Sequence, residues 1–100
     1  MKQNNLPSYD SRKKAIIAKY PDLDTEIKQL EKEIIDNPAD GINETLIIEG
    51  RHVKTHKRWK RASLFSDRLP DCYMYLTINY GITVDGTVVF LAMYIHDYIV

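Results

Sequence analysis

The chain has a single cysteine, Cys72, among its 100 residues. One thiol excludes an intramolecular disulfide framework and suits a reducing compartment such as the cytoplasm. Glycine and proline are scarce, four of each, and there are no repeats or low-complexity tracts. Collagen-like, solenoid and disordered classes are thereby excluded. No apolar run approaches the ~20 residues of a membrane span, so no contact with a membrane is expected. The opening MKQNNLPSYD has no apolar core of the kind a secretory signal needs. There is no G-x-S-x-G turn for a serine nucleophile and no glycine-rich loop for a phosphate, so Ser63 and Asp71 do not by themselves make a triad. His52 and His56 stand four apart, but no Cys or carboxylate at ligand spacing accompanies them, and neither metal nor cofactor is expected.

Net charge is also missing: 14 Lys/Arg balance 14 Asp/Glu. The balance conceals blocks. Residues 1–50 carry −3 and residues 69–100, which hold no Lys or Arg at all, carry another −3. Residues 51–68 carry +6, from Arg51, Lys54, Lys57, Arg58, Lys60, Arg61 and Arg68 against Asp67. A neutral chain can thus present a strongly basic patch.

What is present is a pattern for one domain, residues 1–100, with 44% hydrophobic and 28% charged residues. Residues 1–7 read as a flexible lead. A helix is expected from Ser8 or Asp10 to about Tyr20, ended by Pro21. A second runs from a cap at Asp22 to about Asp36. Its Leu23, Ile27, Leu30 and Ile34 form a seam at helical spacing, and its acids read as solvent-face charges. Strands follow at Thr45–Ile48 and Arg58–Ser66, with Arg51–Lys57 a polar loop between them. Along the second of these strands, Trp59, Arg61, Ser63 and Phe65 share one side.

The last stretch, Cys72 to Val100, is a long hairpin. Asp85-Gly86 separates two β-rich runs, and both residues tolerate positive φ. A two-residue turn sets Val84 opposite Thr87, Tyr75 opposite His96 and Tyr73 opposite Tyr98. One face is then apolar, with Met74, Leu76, Ile78, Ile82, Val89, Leu91, Met93 and Ile95, and must be core. The other carries Tyr73, Tyr75, Thr77, Asn79, Tyr94, His96 and Tyr98. Gly81 is a candidate bulge that would slip the pairing by one residue beyond it. The expected class is α+β, a helical pair packed on a four-stranded antiparallel sheet.

Three clusters carry candidate chemistry. The run RHVKTHKRWKR pairs cations that neutralise phosphates with a tryptophan that can stack on a base, as single-stranded RNA requires. Its alternatives are an acidic protein partner or a solvated face, and Trp59 alone is equally a core residue. His52 and His56 have the proton affinity for transfer near neutral pH. His96 stands on the tyrosine face, where it is either a packed surface residue or an acid/base group.

The order helix, helix, then a sheet ending in His-acidic-aromatic resembles the RelE/ParE superfamily of type II toxins, most closely the YafQ-like ribosome-dependent mRNA interferases. Arg61 matches the middle-strand arginine of that group. Pro70-Asp71-Cys72, followed by Tyr73-Met74-Tyr75-Leu76, matches its Pro-Asp-aromatic step into a strand. Asp85-Gly86, Val88-Val89-Phe90-Leu91 and Ile95-His96-Asp97-Tyr98 match the acidic turn, aliphatic strand and terminal motif. The strand that precedes the helices in the family is not evident in MKQNNLP.

The resemblance implies metal-independent cleavage of mRNA on the ribosome, and an antitoxin as partner. The ribose 2′-hydroxyl would attack the adjacent phosphate. His96 would lead the acid/base work, with His52 or His56 second and Asp71 orienting. Arg61, with Lys57 or Lys60 and beside Lys54 and Arg58, would hold phosphate charge, and Tyr75, Tyr98 or Trp59 would orient a nucleotide. A ParE-like relative acting by protein binding, on gyrase or as an adaptor, would use the same fold without nuclease activity.

Overall fold

A computed structural model of the chain describes residues 3–62 and 72–99, with the backbone alone at 46, 48, 53, 61, 62, 72–74 and 96–99. The elements are β1 (Gln3–Asn5), α1 (Pro7–Lys19), α2 (Leu23–Asp36), β2 (Ile42–Ile48), β3 (Arg51–Ala62), β4 (Cys72–Ile82) and β5 (Val88–Ile99). The strands form one sheet in the order β1-β5-β4-β3-β2. β1 runs parallel to β5, and the other neighbours are antiparallel. The class is α+β, with two helices on a mixed five-stranded sheet. Neither described helix is long and apolar enough to cross a membrane.

Two expectations about which segments are strands need correction. Residues 3–5 are a strand rather than a free lead, and they turn the expected four-stranded antiparallel sheet into a mixed one of five strands. The pairing is made by main-chain groups, Gln3 to Asn5 against Val88 to Phe90, and continues in a bond from Leu6 N to Phe90 O of 3.1 Å. Pairing through the backbone at a sheet edge asks nothing of the side chains, so the sequence carries no mark of it. The second correction concerns Arg51–Lys57, which is strand and not loop. It pairs without a break against β2, from Ile48↔Arg51 to Ile42↔Lys57. The connecting Glu49 and Gly50 have φ of 52° and 77°, the two positive values that a twisted two-residue hairpin loop demands.

The helices cover one face of the sheet. Proline at the first position of α1 fits because its missing N–H would have no helical partner there. Asp22 precedes α2 as expected, but its side chain makes no capping hydrogen bond. The seam Leu23, Ile27, Leu30 and Ile34 is completely buried against Leu76, Ile78 and Tyr80 of β4 and Val88, Phe90 and Met93 of β5. Tyr9 of α1 stacks on Phe90 with ring centroids 5.2 Å apart. Its hydroxyl donates to Glu31 at 2.7 Å, and Lys13 meets the same carboxylate at 3.0 Å. Glu31 is therefore a buried, fully engaged group and not a solvent-face charge.

The long hairpin is offset near its turn. Gly86 N donates to Thr83 O at 3.0 Å, and Gly86 has φ 86°. The loop is thus three residues, Val84 to Gly86, between Thr83 and Thr87. Asp85 accepts from the Thr83 hydroxyl and the Thr87 N–H, which holds its carboxyl below the usual range. A bulge between Asn79 and Tyr80, leaving Leu91 without a partner, shifts the register back by one residue. The two offsets cancel. Tyr75 faces His96 and Tyr73 faces Tyr98, as the sequence led one to expect, and the bulged residue is Leu91 of β5, opposite Asn79 and Tyr80, and not Gly81. Between bulge and turn the inward set becomes Tyr80, Val88 and Phe90, while Val89 and Leu91 are only partly buried.

Candidate nucleic-acid interface

The strand β3 divides its cations by the pleat. His56, Arg58 and Lys60 pair with the core residues Tyr80, Ile78 and Leu76 and so belong to the helix side of the sheet. There the acids of α2 take them up. Arg58 Nη1 donates to the Glu33 carbonyl at 2.9 Å, and its guanidinium lies 3.9 Å from the Glu33 carboxylate and 4.0 Å from that of Asp40. Lys60 Nζ lies 3.5 Å from Glu26 and donates to Gln29. The His56 ring stacks on Tyr80 at 5.5 Å, and its Nδ1 has no hydrogen-bond partner among the described residues. Tyr80 in turn donates to Pro38 O at 2.6 Å, and burial raises its phenol above the ordinary value.

The odd positions of β3 share the opposite, open face with the tyrosine side of the hairpin. Three cross-strand rows result. Lys57 is in register with Asn79 and Ala92, Trp59 with Thr77 and Tyr94, and Arg61 with Tyr75 and His96. Residues in direct register share a face of the sheet. Trp59 is 48% exposed and Tyr94 38%, which settles Trp59 as a surface aromatic and not a core one. Lys57 is engaged on this face by Glu44 of β2, at 3.2 Å. Asn79, only 1% exposed, donates to the same carboxylate at 3.3 Å.

No family model matches the chain, and no curated protein or solved structure matches it. What the open face can do follows from its own geometry. Exposed aromatic rings beside cationic positions on a pleated surface suit an extended chain of stacked bases with phosphates between them.

The residues that the sequence put forward are gathered unequally. Arg61, Tyr75 and His96 come into one row, and Trp59 and Lys57 into the two rows beside it. Tyr98 is in register with Tyr73, two positions beyond His96. Arg58 and Lys60 are on the other face and are tied to α2. His56 lies on that face too, five positions from Arg61 along β3, about 17 Å at ~3.3 Å per residue. His52 and Lys54 are exposed near the Glu49-Gly50 loop, paired with Ile47 and Thr45. His52 is roughly 30 Å from Arg61 by the same rise. Asp71, together with Ser63, lies outside the described residues, and the side chain of Cys72 likewise. Sequence reasoning passed over Glu44 and gave Asn79 no role. The signal available for both was the strand alternation of β2 and β3, hidden by reading Arg51–Lys57 as loop. Among the described residues no group of three or more His, Cys, Asp or Glu converges as a metal site would require.

Proposed function

We propose that the chain is a cytoplasmic toxin of the RelE/ParE type, a ribosome-dependent endoribonuclease neutralised by a cognate antitoxin. The observation that carries this reading is the row Arg61–Tyr75–His96, three residues from three adjacent strands in direct register. Cleavage by a ribose 2′-hydroxyl needs a proton acceptor, a proton donor and a cation for the phosphorane. A histidine, a tyrosine and an arginine within two strand spacings, about 10 Å, can meet that need. His96 is the leading acid/base group, the Tyr75 hydroxyl is the second proton-transfer group, and Arg61 balances phosphate charge. Asp71, next to the start of β4, is the candidate for orienting His96. Trp59 and Tyr94 supply the stacking surface one row away. The strand β1, which the family places before its helices, gives the fold likeness further support.

The test is primer-extension mapping of mRNA on translating ribosomes, with wild type, Arg61→Ala and His96→Ala. Wild type cuts within the open reading frame, and both variants lose most of that activity. A His96→Ala variant that cuts like wild type would falsify the assignment.

A protein-binding role without cleavage is the second reading. What favours it is the diversion of Arg58 and Lys60 to α2, which leaves fewer cations for phosphate than the sequence suggests. Growth arrest with intact mRNA, accompanied by a DNA-damage response, would select it.

A further inference from the structure

The open-face contact between Glu44 and Lys57 is built differently from the i,i+4 ion pairs on the helix surface. The pairs Lys28–Asp24 and Lys32–Asp36 are helix-surface neighbours, with side chains 42–78% exposed. Glu44 reaches across from β2 and places one oxygen, Oε2, 3.2 Å from Lys57 Nζ and 3.3 Å from Asn79 Nδ2. Lys57 and Asn79 are cross-strand partners, so their donors converge from adjacent strands. Asn79 is 1% exposed, and a buried amide requires an acceptor. A lysine ammonium and a fixed amide N–H aimed at one oxygen make a small anion site, and a phosphodiester oxygen fits the same two donors as a carboxylate. The Glu44 side chain is 33% exposed on a strand at the sheet edge, so it can swing to water when a second anion arrives.

We propose that Lys57 and Asn79 form an RNA phosphate subsite which the chain's own Glu44 occupies in the free protein. Glu44 is then a competitor for the ligand and sets how tightly the open face holds a single strand. This deepens the RNA reading given above and rests on it. The subsite lies one row beyond Trp59 and two beyond Arg61, so it takes a phosphate distant from the one being cleaved. Its loss changes affinity more than the rate of the chemical step. A partly exposed pair is worth at most about fivefold in an equilibrium, and that ratio bounds the competition.

The experiment measures binding of the full chain to a fluorescent 2′-O-methyl RNA of about ten nucleotides, across a range of salt concentrations. Glu44→Gln keeps an acceptor for Asn79 and removes the charge; Glu44→Ala is the second variant should the first melt early. Expected is two- to fivefold tighter binding and a slope of log K against log salt steeper by about 0.7, one added phosphate contact. Lys57→Ala binds more weakly, and Glu44→Gln added to it gives no gain. Glu33→Gln, on the helix face beside Arg58, leaves the affinity unchanged. The proposal is overturned if Glu44→Gln binds as wild type does, or gains as much in the Lys57→Ala background. Should wild type cleave mRNA and bind this RNA while Glu44→Gln gains nothing, the competitor role falls alone. Should wild type neither bind nor cleave RNA, the RNA reading falls and takes this one with it.

Discussion

Tyr9→Phe removes one hydroxyl from the place where α1, α2 and β5 meet. Tyr9 is fully buried, its ring lies on Phe90, and its hydroxyl donates to Glu31 at 2.7 Å. The ring stays, so packing is conserved and the change isolates the hydrogen bond. A bond to a charged acceptor is worth about 1.5–3 kcal/mol. Glu31 keeps Lys13 at 3.0 Å, which places the loss nearer the lower end. The pH dependence is more telling. Burial, and then the Glu31 carboxylate, push the Tyr9 phenol far above its ordinary value of 10.0. The unfolded chain ionises this tyrosine near pH 10 while the native chain keeps its proton. The raised group therefore contributes its full stability below pH 10 and loses it as pH rises beyond. At pH 11 about ten of eleven unfolded molecules have lost the proton, which favours unfolding by ~1.4 kcal/mol. Urea unfolding of wild type and Tyr9→Phe between pH 8 and 11 tests this. The difference should start near 2 kcal/mol and shrink by ~1.4 kcal/mol at pH 11, because the variant has no proton to lose. Every other ionisable group is common to both proteins and cancels in the difference. A difference that stays constant from pH 8 to 11 would refute the buried Tyr9–Glu31 contact.

Further outcomes follow from the same packing. Phe90→Ala opens a cavity beside Tyr9 at a fully buried site and should cost about 3–5 kcal/mol in urea unfolding. Gly41→Ala places a methyl group onto Tyr80 Oη and 3.1 Å from His56 Cβ. It must break the 2.6 Å bond from Tyr80 to Pro38, and a loss of roughly 1–3 kcal/mol is expected, read by thermal unfolding. Trp59→Ala and Lys60→Ala are neighbours in sequence with opposite consequences. The tryptophan variant should keep its melting temperature and bind single-stranded RNA at least about fivefold more weakly. The lysine variant should lose up to about 1 kcal/mol of stability with its Glu26 contact and bind RNA as wild type does. If Lys60→Ala weakens RNA binding as strongly as Trp59→Ala, the two-faced division of β3 is wrong.

The sequence by itself determined the elements whose signal is local. Leu23, Ile27, Leu30 and Ile34 recur at helical spacing, and Pro21 marks the end of α1, so both helices were legible, although α1 begins at Pro7 and not at Ser8 or Asp10. The Asp85-Gly86 turn between two alternating runs marked the long hairpin, and with it the opposition of Tyr75 and His96. That opposition was legible because two one-residue offsets, the third loop residue and the bulge at Leu91, compensate each other. The inward set of Tyr80, Val88 and Phe90 lies between those offsets and was misread for the same reason. Only the tertiary structure decided the rest. β1 is held by main-chain bonds that leave no trace in side-chain pattern. The Arg51–Lys57 stretch looked like loop because its strand lies toward the sheet edge, where neither face imposes an apolar alternation. Most consequential is the division of the basic run. Composition makes Lys57, Arg58, Lys60 and Arg61 equivalent. The pleat of β3 against α2 sends Arg58 and Lys60 to Glu33, Asp40 and Glu26 and puts Lys57, Trp59 and Arg61 in the rows of the tyrosine face. Those acids are up to 34 positions away in sequence, as Lys60 is from Glu26. Periodicity records which way a residue faces relative to its neighbours, whereas the group it meets across the fold is set by packing.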